Sequence, residues 1–240
     1  MTGSLIIAKR EINAYFNSAS AYIFMLAFLL CSGILFFFNS GFFAMNQASL
    51  RGYFSLMPLV LSVFAPALTM KLWAEERRQG SYELLLTLPF SDLELVAGKF
   101  LASLLVVIFT LVLSLGVPLC ASMFGHFDTG PIFSEYLGAI LCASAMLAVG
   151  QAVSAASDNQ ISAFIVSVSI LLVLSLLPQF AIWIKLPDFA ASAINWLSLS
   201  YHFVSFARGV VDTRDVAYFA LVSMASLFLA SRFLAARKWS

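Results

Sequence analysis

The chain has 240 residues, 62% of them hydrophobic and only 10% charged, with a formal net charge of +1. Soluble globular domains carry about 25% charged residues, and a soluble fold this apolar would leave large sticky patches on its surface. An ordinary soluble enzyme is excluded, and nothing in the charge balance calls for nucleic acid as a partner. Repeated apolar runs near or above ~20 residues point to several membrane helices, and they are too long and too uniform for barrel strands. Cys31, Cys120 and Cys142 all fall inside these runs and read as small buried side chains, not as a disulfide or metal framework.

Residues 4–19 are amphipathic. Arg10, Asn13 and Asn17 recur on one face, while Ala8, Ile12, Tyr15, Phe16 and Ala19 cover the other, a spacing that suits a helix lying at the membrane surface. Lys9 and Arg10 precede a long span with no convincing processing site, so no cleaved leader is expected. The first span is read at Tyr22 to Phe38, and the second at Tyr53 to Trp73, where Pro58 and Pro66 each remove a helix hydrogen bond. Lys71, near its end, can snorkel to the interface.

Glu75 to Lys99 follows, the most charged stretch of the chain. A helix is expected to continue from Glu75 to Leu86 with Gly80 as its weak point, and Thr87-Leu88-Pro89 should stop or bend it. Ser91 and Glu94 have capping-box spacing, so a second helix should start there and run through Lys99 into a third span at Phe100 to Met123. The fourth span is read at Ile132 to Ala156, with Glu135 at the interface near its start. A four-residue turn, Ser157 to Gln160, then leads to a fifth span at Ile161 to Ile184.

Lys185 to Asp215 is ambiguous. Asn195, Ser198, His202 and Ser205 follow one helical stripe, so the segment is read as a surface or partly re-entrant helix and its stripe as candidate contacts for cargo or a partner. A seventh span is the alternative. The last span is Val216 to Ala235. Six spans place Lys9, Arg10, Lys71, Arg77, Arg78, Lys99, Arg232, Arg237 and Lys238 on one side, and Arg51, Lys185, Arg208 and Arg214 on the other. The positive-inside rule then puts both termini and the charged stretch in the cytoplasm.

There is no Walker A sequence, no dinucleotide fingerprint and no HExxH. His126 and Asp128 read as a solvated loop, and His202 as a hydrogen-bonded structural histidine more readily than a ligand. Almost all charges sit at span edges, and neither a buried acid nor a broken-helix ion site suggests ion coupling. Energy must then enter through a solvent-facing element, and Glu75 to Lys99 is the substantial one on the cytoplasmic side.

Three stretches carry a resemblance: LTMKLWAEERRQGSYELLLTLPFSDLELVAGKFLAS at Leu68 to Ser103, KREINAYFNSASAYIF at Lys9 to Phe24, and YHFVSFARGVVDTRDVAYF at Tyr201 to Phe219. With them the chain resembles the permease subunit of an ABC-2 type exporter. More narrowly, it resembles the gliding-motility-like branch, near permeases linked to copper-enzyme maturation. The resemblance implies one permease domain over residues 1–240 in a bacterial inner membrane. The fold is an all-α polytopic membrane protein with six transmembrane helices, an N-terminal interfacial helix, a cytoplasmic coupling helix between spans two and three, and a surface or re-entrant segment before span six.

It also implies a cytoplasmic ABC ATPase in two copies, which carries ATP and Mg, and a second permease copy or a related permease. In gliding-like systems a membrane subunit with a large outer domain is a further partner, beside the membrane lipids. Coupling would run through Glu75, Glu76, Arg77, Arg78, Tyr82, Glu83, Leu85, Leu86 and Leu88: apolar anchors supply binding and charges set register. Many relatives carry Ser-Pro where this chain has Ser18-Ala19-Ser20, which weakens the expected helix break. A non-transport scaffold that anchors an ATPase or an outer assembly is the alternative function.

Overall fold

A computed structural model describes residues 3–39, 50–78, 80, 90–122, 129–184 and 187–237. They form helices and no strand. Six stretches are long and apolar enough to cross a membrane: Ala19–Phe38, Met57–Arg78, Asp92–Ser122, Gly130–Ala156, Gln160–Trp183 and Thr213–Ala236. The all-α polytopic expectation therefore holds, span by span.

Helix α1 (Gly3–Phe16) stops at Asn17–Ser18 before α2 (Ala19–Asn39). The break forms without a proline. The Ser18 hydroxyl donates to the Tyr15 carbonyl at 3.2 Å and lies 2.6 Å from the Ser20 hydroxyl, a side-chain alternative to continued helix. The second span is three helices: α3 (Arg51–Ser55), α4 (Met57–Thr69) and α5 (Lys71–Arg78). Pro58 lies in the first turn of α4, where its missing N–H costs nothing, while Pro66 lies inside that helix, four residues before the break at Met70. The described helix reaches Arg78, and Gly80, the expected weak point, takes a left-handed φ of 71° that other residues resist; the expected continuation to Leu86 lies outside the described residues. Residues 81–89 lie outside the described part, Thr87, Leu88 and Pro89 among them.

The third span is α6 (Asp92–Leu113) followed by α7 (Gly116–Ser122). The capping box at its start is present: the Ser91 hydroxyl accepts from the Glu94 amide, and the Glu94 carboxylate accepts from the Ser91 amide at 3.0 Å. Then come α8 (Thr129–Ala156), α9 (Gln160–Trp183), α10 (Asp188–Leu197), α11 (Leu199–Ala207) and α12 (Thr213–Arg237). His126 and Asp128 lie outside the described residues. Asn159 caps α9 by accepting from the Ile161 amide at 3.0 Å.

Helix α8 is the axis of the bundle, touched by α4, α5, α6, α9, α11 and α12. Its sequence explains this. Ala139, Cys142, Ala143, Ala145, Ala148 and Ala155 are fully buried, and such small residues let membrane helices approach closely where lipid supplies no hydrophobic drive. Gly138 is a tight case near the start of α8: an added Cβ would stand 2.6 Å from the Phe206 side chain. Helices α2, α9 and α12 instead turn large residues outward, including Ile23, Leu26, Leu30, Ile165, Val173, Leu221 and Phe228. Outward apolar faces are the normal state of helices solvated by lipid.

The segment before the last span is two short helices, α10 and α11, not one. Ser198 interrupts them with extended backbone (φ −82°, ψ 131°) and caps α11 by accepting from the Tyr201 amide. Neither helix reaches the ~20 residues a span requires, so the surface or re-entrant reading stands over a seventh span.

Candidate functional site

The break at Met70 determines the chemistry around the Ala156 end of α8. A helix start leaves backbone amides without intrahelical partners, and a helix end leaves carbonyls. Here both are met by neighbouring helices. The Trp73 amide donates to the Ser154 hydroxyl at 3.3 Å, and that hydroxyl donates to the Met70 carbonyl at 3.2 Å. The Tyr15 hydroxyl of α1 donates to the Leu68 carbonyl at 3.1 Å. The Lys99 ammonium of α6 donates to the Leu72 carbonyl at 2.8 Å. Three separate elements thus hold one discontinuity in place.

Lys99 is the centre of this junction. It is 1% exposed, and an ammonium so deeply buried requires compensation. Glu76 supplies it at 2.6 Å and Glu11 at 3.5 Å, while the Trp73 ring lies 4.8 Å below the charge. Arg10 closes the outer side of the network, 2.6 Å from Glu11 and 3.7 Å from Glu76. Burial raises the Glu11 carboxyl, yet Lys99 and Arg10 outweigh it and hold Glu11 below the ordinary carboxylate value.

Arg77 forms the second half of the junction. Its guanidinium donates to the Ser157 carbonyl at 2.6 Å and to the Ala155 carbonyl, and it pairs with Asp158 at 3.3 Å. The last carbonyls of a helix carry partial negative charge, so Arg77 serves as a cationic C-cap for α8. Farther in, the Gln151 amide donates to the Val96 carbonyl at 3.0 Å, fixing α8 to α6. Helix α1 lies directly on α6: an added Cβ at Gly98 would fall 2.7 Å from Ile7 and 2.8 Å from the Ser4 carbonyl.

The charged entrance read from sequence is thereby divided. Glu76 and Arg77 turn inward and tie the helix into the bundle, Glu75 is half-buried, and Arg78 is exposed. Tyr82, Glu83, Leu85, Leu86 and Leu88 lie outside the described residues. The contributions of Glu11, Trp73, Ser154 and Asp158 were not anticipated. The one signal for them is positional, since Lys99 stands inside an apolar helix beyond easy reach of water and so demands acidic partners.

The reading that no buried acid is apparent is corrected, although the charges concerned do stand near the starts of their spans. Besides Lys99, Glu135 is 2% exposed and Asp215 7% exposed. Both lie within the first turns of their helices, where sequence position alone suggests the interface. Packing of α11 and neighbouring helices against the starts of α8 and α12 covers them instead.

At the Thr129 end of α8, the break at Ser198 splits the expected stripe. Ser198 and His202 are buried, and Asn195 and Ser205 are half-buried. His202 lies 2.6 Å from Asp215 through Nδ1 and 2.9 Å from the Trp196 carbonyl through Nε2. Its ring stacks on Tyr218 at 3.8 Å, and the Tyr218 hydroxyl donates to the Leu197 carbonyl at 2.7 Å. The Ser134 hydroxyl of α8 donates to the Phe206 carbonyl at 2.9 Å, seating α11 on α8.

These two clusters sit near opposite ends of α8. Ser134 and Ala155 are separated by about 30 Å at the rise of an α-helix. One cluster joins the entry and return of the charged stretch, and the other secures the two short helices before the last span. The family model described as ABC-2 family transporter protein matches residues 30–235. No curated protein matches the chain.

Proposed function

Because the chain belongs to the ABC-2 family of transporter membrane proteins, we propose that it is the transmembrane permease of an ATP-driven exporter, coupled to a separate ATPase through residues 75–99. The family implies an ABC ATPase partner and a dimeric arrangement. Hydrolysis, with ATP and Mg2+, belongs to that partner. This chain receives the motion and passes it across the membrane.

One observation carries the reading. Both ends of the charged stretch, α5 before it and the start of α6 after it, are locked to α1 and to the turn between spans four and five through Lys99, Glu76, Glu11 and Arg77. A push on residues 79–91 would therefore reach four elements at once. Arg78, exposed at the helix end, and the apolar Leu85, Leu86 and Leu88 are the groups offered to the ATPase. The termini and this stretch face the cytoplasm of a bacterial inner membrane, as the cation asymmetry supports. Export is the direction the family resemblance favours.

Pull-down of the ATPase and ATP-dependent movement of cargo, measured for Glu83→Ala and Leu85→Ala, test the reading. Loss of both is expected. Unchanged assembly and unchanged transport would overturn it. Normal assembly and ATP hydrolysis without movement of any cargo would favour the scaffold instead.

A further inference from the structure

The His202–Asp215 pair has no part in the coupling junction, yet both imidazole nitrogens have partners. A carbonyl oxygen can only accept, so the Trp196 carbonyl 2.9 Å from Nε2 fixes a proton on that nitrogen. The opposite nitrogen then faces Asp215 at 2.6 Å, a length in the range of charge-assisted bonds. Asp215 lies at the start of α12, Trp196 in α10 and His202 in α11. A single side chain therefore spans all three elements. Tyr218 closes the arrangement by stacking on the imidazole and bonding the Leu197 carbonyl, next to the interruption at Ser198.

The rest of α10 is held loosely. The helix has no buried residue, and Phe189, Trp196 and Leu197 are largely exposed. It packs chiefly against α9, and its last turn joins it to α11. We propose that His202 is a positioning residue which latches α10, through the first turn of α11, to the last span, and that α10 and the Ser198 break open away from the bundle when the His202–Asp215 contact parts. Local openings are drawn from regions with few buried apolar contacts. Here α10 is such a region, joined to the last span through one polar cluster, whereas α11 also buries Leu199, Phe203 and Phe206 in the core. The latch does not depend on the ATPase reading, and its test uses neither ATPase nor cargo.

The reporter is Ser198, fully buried beside the latch. Cys31, Cys120 and Cys142 are replaced by alanine and S198C is introduced. The labelling rate with a maleimide is then measured on purified protein in lipid nanodiscs, where both faces are accessible. H202A and D215A are each expected to speed labelling about tenfold or more, the effect of losing a hydrogen bond to a charged group. The double variant should label no faster than either single one, because both remove the same contact. D215N should stay near the parental rate, since its amide donates to an unprotonated Nδ1. Unchanged labelling in either alanine variant, or additive effects in the double variant, would overturn the latch. Where the alanine variants fail to accumulate, H202Q decides: faster labelling supports the latch, and parental protection overturns it.

Discussion

The two ends of α8 solve the same problem in opposite ways. Each joins several helices through buried polar groups, but the inner end spreads the task over long charged side chains. Lys99 meets two carboxylates, a carbonyl and a ring, and Arg77 meets two carbonyls and a carboxylate. The outer end concentrates it in one compact pair enclosed by aromatic rings. A network with many partners can trade contacts as helices shift. A single pair either holds or does not. On the proposed function, the inner end would transmit graded motion and the outer end would make a discrete change of state.

The comparison is broken most severely by removing Lys99. K99A leaves Glu76 and Glu11 facing each other without the buried cation, a loss of about 3–5 kcal/mol for a buried pair deprived of one partner. Thermal unfolding in detergent should show a large drop, with partial recovery in K99M/E76M, where no charge is stranded. Next is R77A, which removes the cation from the end of α8 and should cost about 1.5–3 kcal/mol by the same measurement. Most of that cost lies in the two carbonyl bonds, because Asp158 is 80% exposed and an exposed pair contributes little.

G98A tests the inner end sterically. Its methyl would strike Ile7 and the Ser4 carbonyl, and overpacking of this kind costs about 1–3 kcal/mol. The expected readout is faster proteolysis within α1 while the other spans stay protected. At the outer end, Y218F removes only the bond to the Leu197 carbonyl and keeps the stack on His202. A loss of about 0.5–1.5 kcal/mol is expected.

The smallest effect is one of pH. The folded-state value of Glu11 lies below its ordinary 4.5, so its contribution is fully present above 4.5 and disappears as pH falls through the lowered value. Proteolytic release of α1 should accelerate on that acid limb in the parent and much less in E11Q.

Most of the fold was legible because membrane spans announce themselves by length and apolarity. The capping box at Ser91 and Glu94 was legible for a different reason, since its chemistry is local to four residues. What the sequence could not convey was direction around a helix. Glu76 and Arg77 stand in a run of charge that looks wholly solvated, and only the break at Met70 and the adjoining ends of α1, α6 and α8 turn them inward. His202 and Asp215 are thirteen positions apart with a turn at Gly209 between them (φ 82°), and no periodicity links residues across such a turn. The stripe from Asn195 to Ser205 assumed one continuous helix, which Ser198 prevents by capping a new one.

The central claim is that the stretch between α5 and α6 receives force from a nucleotide-hydrolysing companion in the cytoplasm. A photo-crosslinking residue at position 83, activated in intact cells and followed by mass spectrometry of the adduct, tests it most directly. The account predicts a covalent product with a Walker A-containing ATPase that weakens when Leu85 is also replaced. A product formed only with extracytoplasmic proteins, or labelling of Gly80→Cys by an impermeant reagent from outside, would contradict it.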